Sequence, residues 1–194
     1  MIRTARPVPA FALAATLATF ASAQNPAGPL PPAPGESRIS NIRQITNGGE
    51  NAEAYWSADG KFITFQSTRD GRTCDQQYVM RADGSDVKRV STGEGKTTCG
   101  WFLPGGKRLI YGSSHANQKD CPARPDPSAG YVWPLDPFDI YSAKPDGSDL
   151  KRLTSNNVYT AESVVSPDGK KVIWASNRHS TKPTETNLFV ADWK

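Results

Sequence analysis

The sequence predicts an all-β chain built from about three copies of one four-stranded unit. The first observation is self-similarity, because the segment 56–65 (WSADGKFITF) recurs at 102–111 (FLPGGKRLIY) and at 165–174 (VSPDGKKVIW). The second is a longer block, 78–91 (YVMRADGSDVKRVS), which recurs at 141–154 (YSAKPDGSDLKRLT). The third is weak helical periodicity, since short runs of strand-forming residues alternate with turns that contain glycine.

The strands of each unit follow in order from these repeats. The first strand ends before a glycine turn that supplies the positive φ of a tight hairpin, at Trp56, Phe102 or Val165. The second, 62–66 in the first unit, is rich in β-forming residues, and the third ends at an Asp-Gly turn. The fourth, 87–91 or 150–154, alternates apolar and basic residues as an outer strand does. Tandem units of roughly 40–45 residues with four strands are typical of a β-propeller, so we expect about three blades over residues 39–194.

Residues 1–23 predict a secretory signal peptide. The first ten carry Arg3 and Arg6 and no acid, 11–20 is an apolar run too short to span a bilayer, and 21–23 (ASA) matches a cleavage pattern. Cleavage is therefore expected after Ala23, and the mature chain is expected to be periplasmic or secreted. Residues 24–38 are rich in proline and predict an extended linker.

The distribution of charge argues against a nucleic-acid partner. The chain has 23 basic and 19 acidic residues, a net charge of +4, and two of the basic residues lie in the predicted signal peptide. No run of Lys and Arg is longer than two, so a basic stripe for phosphate binding is missing from the sequence. No segment after residue 23 is apolar enough to predict a membrane span.

The repeats resemble those of TolB-type, WD-like β-propellers of bacterial envelopes. The resemblance depends on 166–178 (SPDGKKVIWASNR) and on 78–91, and it covers 39–194. It implies a non-catalytic scaffold that binds envelope proteins, or a peptide held near the mouth of the propeller channel. Two alternatives stay open. One is a substrate-gating propeller of a prolyl oligopeptidase-type hydrolase whose catalytic domain is absent from this chain. The other is a propeller that binds a small ligand.

The two ends of the repeat region resemble parts of one blade. Residues 42–46 match the fourth strand of the unit, and 187–193 match the third strand. Propellers of the family that this chain resembles usually close with six blades, and three blades are too few for a closed ring. We favour the interpretation that the sequence belongs to a longer propeller. The other hypothesis is a homodimer that completes a six-bladed ring, each chain lending its 42–46 strand to the other.

The three cysteines predict a disulfide. Alignment of the repeats places all three on one face of the propeller, at Cys74, Cys99 and Cys121. In an oxidising compartment two of them should pair. Cys121 lies in 17 extra residues of the second unit, between Ser114 and Asp139, and Cys99 is the preferred partner. The spacings contain no C-x-x-C pattern, so neither a metal site nor a cofactor is predicted.

Two repeat positions supply the candidate binding residues. Glu53, Cys99 and Glu162 share the position at the entry of the first strand, and the position after the second strand holds Arg69, His115 and Arg178. One interpretation is ion pairing within a repeat, Glu53 with Arg69 and Glu162 with Arg178. The other is a polar ring at the channel mouth that binds a peptide, a ligand or a cation.

The remaining motifs are less specific. The aromatic insertion with Tyr131 and Trp133 could contact a partner. No nucleophile elbow, zinc-protease or phosphate-loop motif occurs, so no catalytic residue is predicted and we do not expect an enzyme.

Overall fold

The chain folds into antiparallel β-sheets. The computed structural model describes residues 28–126, 128, 130, 133–182 and 184–194. The predicted signal peptide and Tyr131 lie outside these residues. In the described part of the chain the strands are β1 Asn51–Trp56, β2 Phe62–Ser67, β3 Gln76–Arg81, β4 Lys88–Arg89, β5 Thr97–Phe102, β6 Leu109–Ser113, β7 Asp139–Ala143, β8 Lys151–Arg152, β9 Thr160–Val165, β10 Lys171–Ser176 and β11 Asn187–Asp192.

The strands form three blades in the order of the sequence. The first blade has the strand order β1-β2-β3-β4, the second β5-β6-β7-β8, and the third consists of β9, β10 and β11. The first strand of each blade, which is the innermost one, ends at the predicted residue, at Trp56, Phe102 or Val165. The first hairpin closes with a hydrogen bond from the Ser57 amide to the Phe62 carbonyl (2.8 Å), and Gly60 has the positive φ (68°) that the turn requires. The predicted all-β partial propeller is confirmed.

The hydrophobic core lies between consecutive blades, and the second blade is buried on both of its faces. Strand β6 shows this clearly, since its side chains alternate between the two neighbours. Leu109 and Tyr111 pack with Val79 and Val90 of the first blade, whereas Ile110 joins a cluster that includes residues of the third blade. All three β6 residues are completely buried. The strands β1, β5 and β9 therefore lie side by side along the inner edge of the blades.

The 42–46 segment takes the place of an outer strand without forming one. Ile42 makes only an isolated bridge to Leu30, so the strand expected at 42–46 is wrong for the described residues. Its position is nevertheless that of a fourth strand. Ile45 packs on the first blade, and its carbonyl oxygen would lie 2.7 Å from a Cβ on Gly84; the equivalent distance from Val90 to Gly147 in the next blade is 3.0 Å. A fourth strand needs the third strand of its own blade as its partner, and none of the described strands lies there.

The outer edge of the third blade has no neighbouring strand in the described part of the chain. In the third blade β11 is an edge strand, and its Leu188 and Val190 are 75% and 69% exposed. No helix among the described residues has the length and apolarity needed to span a membrane.

Candidate functional site

The three innermost strands share one irregularity. Glu53, Cys99 and Glu162 have positive φ angles of 50°, 32° and 57°, and the pairing of each strand with its neighbour slips at that residue. These are β-bulges, which bend a strand and change the direction of a side chain. A residue other than glycine seldom adopts this backbone conformation. The repeat position singled out from the sequence is therefore a bulge in all three blades.

The bulges bring their side chains to one cavity, which we call the central pocket. It has a volume of about 400 Å³ and is lined by Glu53, Tyr55, Cys99, Trp101, Trp133 and Glu162. Each of the three blades contributes to it, and Trp133 comes from the insertion. The rings of Tyr55 and Trp101, which occupy equivalent positions in consecutive repeats, lie 4.6 Å apart. The pocket thus combines two carboxylates with aromatic walls.

Both carboxylates of the central pocket accept hydrogen bonds from tyrosines. Glu53 Oε2 accepts one from the Tyr55 hydroxyl and another from the Cys99 thiol, whose Sγ is 3.5 Å away. Glu162 Oε1 accepts one from the Tyr159 hydroxyl at 2.8 Å. The Tyr159 oxygen in turn accepts a bond from Trp133 Nε1 at 3.4 Å, which connects the insertion to the third blade.

The thiol and the phenol of the pocket remain protonated at neutral pH. Burial and, to a smaller extent, the neighbouring carboxylates raise the pKa of Cys99 to about 12. Burial also raises the pKa of Tyr55 above its usual range, and its hydrogen bond to Glu53 acts in the same direction. Cys99 is therefore a poor nucleophile, since the thiolate is the reactive form.

The second predicted position does not reach the central pocket. The Arg69 guanidinium lies 4.9 Å from the ring centre of Phe65, and that of Arg178 lies 5.3 Å from the ring centre of Trp174. The His115 ring lies 4.4 Å from that of Tyr141, and its Nδ1 is 2.8 Å from Ser113 Oγ. Each of these residues thus packs on an aromatic side chain of its own blade.

The predicted ion pairs within a repeat are wrong. Among the described residues no ion pair joins Glu53 to Arg69 or Glu162 to Arg178. The physical reason is that the bulges turn the carboxylates toward the pocket, while cation–π contacts hold the arginines on their blades. The two predicted positions, which looked like one ring in the sequence, are separate in the fold.

The disulfide joins Cys74 to Cys121, so the preferred Cys99–Cys121 pair is wrong. Cys99 lies in β5 and its side chain lines the central pocket, whereas Cys74 lies in the loop between β2 and β3, beside the insertion. Cys99 is buried and free. The loop order of the repeats placed all three cysteines on one face but could not show which way each side chain points.

The insertion is fastened at two further points, one at the start of the first blade and one at the start of its own blade. Arg124 forms two hydrogen bonds of 3.0 Å to the carboxylate of Glu50. Lys96 pairs with Asp136 at 3.5 Å, and both side chains are largely buried. Together with the disulfide, these contacts hold Trp133 at the central pocket. Trp133 was predicted as a partner contact but could not be placed from the repeats. Tyr55 and Trp101 were not predicted, although they form an aromatic position shared by consecutive repeats.

Comparison with known proteins identifies the fold. No protein-family profile matches the chain. The Tol-Pal system protein TolB of Geobacter sulfurreducens is 42% identical over 55 residues, which are 28% of this chain and 12% of that protein. The structure of a putative TolB from Agrobacterium tumefaciens superimposes with a TM-score of 0.56 at 22% identity, covering 79% of this chain and 50% of the other. TolB from Acinetobacter baumannii gives the same TM-score at 24% identity, covering 79% and 33%.

These similarities confirm the resemblance to TolB-like β-propellers. Because the identity to the solved structures is low, the similarity establishes the fold of the chain and nothing about its function. The chain spans half or less of the length of each of these proteins.

Proposed function

We propose that this TolB-like propeller is a non-catalytic interaction module of the bacterial cell envelope, which binds a protein or peptide at its central pocket. The observation that carries the proposal is the convergence of three bulge residues on one cavity. A left-handed conformation costs a residue with a side chain roughly 1–2 kcal/mol, and such strain concentrates at functional sites. In this chain the strain serves to direct Glu53, Cys99 and Glu162 toward one another.

The composition of the pocket supports recognition rather than bond-breaking chemistry. Tryptophan and tyrosine supply much of the energy at protein interfaces because they bury a large area and lose little side-chain entropy. Trp101 and Tyr55 are partly exposed, and Trp133 is 37% exposed. These rings can therefore pack against a bound segment, while the protonated Cys99 forms a neutral part of the wall.

Export to the envelope is part of the proposal. It is supported by the predicted signal peptide, by the Cys74–Cys121 disulfide, which is typical of oxidising compartments, and by similarity to a protein described as a Tol-Pal system protein. We expect the protein in the periplasmic fraction of the native host to begin at Gln24. Intact-mass measurement tests this, and a protein that retains residues 1–23 would contradict it.

As the alternative to a longer propeller, which is the interpretation that we favour, we propose that two copies complete a six-bladed ring. The support is the pair of complementary edges, since the 42–46 segment lies where a fourth strand belongs and β11 has no outer neighbour among the described strands. Light scattering on purified residues 24–194 tests this. A dimer that melts cooperatively supports the ring, and a well-folded monomer excludes it.

Site-specific photo-crosslinking tests the binding function. Trp133 is replaced by benzoylphenylalanine in the native host, and Lys88, which lies on the outer strand of the first blade, is replaced in a matched control. We expect one prominent adduct with an envelope protein from position 133 and a much weaker one from position 88. Equal adducts from both positions, or none from position 133, would overturn the proposal. Adducts only with small molecules would favour the ligand-binding alternative.

A further inference from the structure

The charge of the central pocket identifies the chemistry of what it binds. We propose that the pocket selects a cationic side chain, the ammonium group of a lysine or the guanidinium group of an arginine, from the segment that binds there. This inference rests on the proposed function and names the group that the pocket recognises.

The two carboxylates of the pocket have no cation of their own. Glu53 and Glu162 accept hydrogen bonds from the neutral donors Tyr55, Cys99 and Tyr159, and neither forms an ion pair within the described part of the chain. A tyrosine hydroxyl orients a carboxylate but leaves its negative charge in place. The described residues that line the pocket include no Lys, Arg or His, so their formal charge is −2.

Both carboxylates act on the same small volume. Each contributes to the raised pKa of Cys99 and of Tyr55, in addition to the larger effect of burial. An electrostatic effect of this kind weakens with distance, so a group inside the pocket feels both negative charges. A single cation placed between Glu53 and Glu162 would relieve their mutual repulsion, which gives it an advantage over a neutral group of the same shape.

The aromatic walls suit a cation with an apolar stem. Ammonium and guanidinium groups are attracted to the faces of Trp and Tyr rings at distances up to about 6 Å. This chain already uses the interaction, because Lys96 Nζ lies 5.4 Å from the ring centre of Trp133. The methylene groups of a lysine or arginine could pack on Trp101 and Tyr55 while the charged end reaches the carboxylates. The volume of about 400 Å³ lies within the roughly 300–1,000 Å³ typical of ligand sites, which leaves room for such a side chain.

Three cationic side chains of the same blades contact residues other than the two pocket glutamates. Lys96 pairs with Asp136, and Arg69 bonds to Asn51 and stacks on Phe65. Arg178 lies on Trp174 of the third blade. Their present contacts leave the carboxylates of the pocket available to a cation from another molecule.

Binding of short peptides to the full chain tests the inference. The probes have an acetylated N-terminus and an amidated C-terminus; they are Gly-Gly-Lys-Gly-Gly, the arginine analogue, and two neutral analogues that carry norleucine or acetyl-lysine. Nuclear magnetic resonance of the tryptophan indole N–H groups reports binding next to Trp101 and Trp133. We expect the lysine or the arginine peptide to bind at least about 10-fold more tightly than either neutral peptide.

Charge-removing variants locate the effect. We expect Glu53→Gln and Glu162→Gln each to weaken binding of the preferred cationic peptide by about fivefold or more and to leave the norleucine peptide unchanged. Asp86→Asn is the matched control, because it removes a carboxylate from an outer turn where Asp86 pairs with Lys88. Thermal melts verify that each variant is folded.

The possible results separate this inference from the proposed function. Norleucine binding as tight as cation binding, or cation binding that both Glu→Gln variants retain, would overturn cation selection. If the crosslink from position 133 then persists, the interaction function still holds and only its chemistry is wrong. Loss of both the crosslink and all peptide binding would reject the two together.

Discussion

The Glu53 carboxylate of the first blade and the Cys99 thiol of the second are hydrogen-bonded across the blade boundary, with Sγ 3.5 Å from Oε2. The two residues are 46 apart in the sequence and occupy the same position in consecutive repeats. Blades that radiate from one axis bring equivalent positions of their innermost strands together. A repeat position thereby becomes a site with contributions from all three blades.

The bulge at Glu162 gives the first prediction. Because φ is positive there, Glu162→Gly should be more stable than Glu162→Ala by about 1 kcal/mol, since only glycine adopts that conformation without strain. Urea unfolding of the two variants measures the difference. At Val164, in the same strand but without positive φ, the order should reverse in favour of alanine. Equal stability of the two Glu162 variants would mean that the bulge is not strained.

The disulfide gives the second prediction. It links residues 47 apart, so Cys121→Ser should lower the free energy of unfolding by about 3–4 kcal/mol, chiefly by enlarging the unfolded ensemble. The variant should also free the insertion and raise the exposure of Trp133, which fluorescence quenching by acrylamide reports. Cys99→Ser is the control, because it removes a cysteine but keeps the disulfide. It should leave the quenching unchanged. A Cys121→Ser protein as stable as the parent would show that the other contacts hold the insertion alone.

Asp139 gives the third prediction. Its side chain is completely buried and accepts hydrogen bonds from Arg152 Nη2 (2.5 Å), Asn117 Nδ2 (2.8 Å) and Thr154 Oγ1 (2.9 Å). Asp139→Ala leaves these donors without their acceptor, and we expect a loss of about 3 kcal/mol in the free energy of unfolding. Asp139→Asn, which retains one acceptor oxygen, should lose less. Asp86→Asn breaks an exposed pair with Lys88 and should change little, because asparagine tolerates the positive φ at this position. A chemical denaturation series compares all three.

Alkaline pH gives the fourth prediction. Burial raises the pKa of Cys99 from 9.0 to about 12, and it raises that of Tyr78 from 10.0 to about 12. As the pH rises, the unfolded chain releases these protons at a lower pH than the folded chain does. The stability that the neutral groups contribute is therefore complete below pH 9 and is lost as pH rises toward 12. We expect the free energy of unfolding to fall between about pH 9 and pH 11, and Tyr78→Phe should flatten the decline. A profile that is level over this range would contradict the prediction.

Much of the fold was predictable because it depends on local chemistry that recurs. The glycine turns after Trp56, Phe102 and Val165 end the innermost strands where the repeats indicate. The register of the hairpins follows from these turns, and the all-β architecture follows from the strand-forming runs between them. The shared position of Glu53, Cys99 and Glu162 was also visible in the sequence.

Side-chain direction was not predictable, and it accounts for the errors. Alignment placed Glu53 near Arg69 in the repeat, but a bulge turns the glutamate toward the axis, and Phe65 and Tyr78 hold the arginine on the blade. Cys99 lies on the predicted face, but its thiol lines the pocket, and Cys74 is the residue that meets Cys121. Trp133 has no counterpart in the other repeats, so alignment offered no position for it.

The sequence by itself determined the repeat, the turns and the number of blades, because each of these depends on residues close together in the chain. Only the tertiary structure decided that two carboxylates, a thiol and three aromatic rings share one cavity. That outcome depends on the packing of blade against blade, on the strained conformation of three bulge residues and on a disulfide that fixes the insertion. These are long-range constraints, and they are satisfied only when the blades have assembled around a common axis.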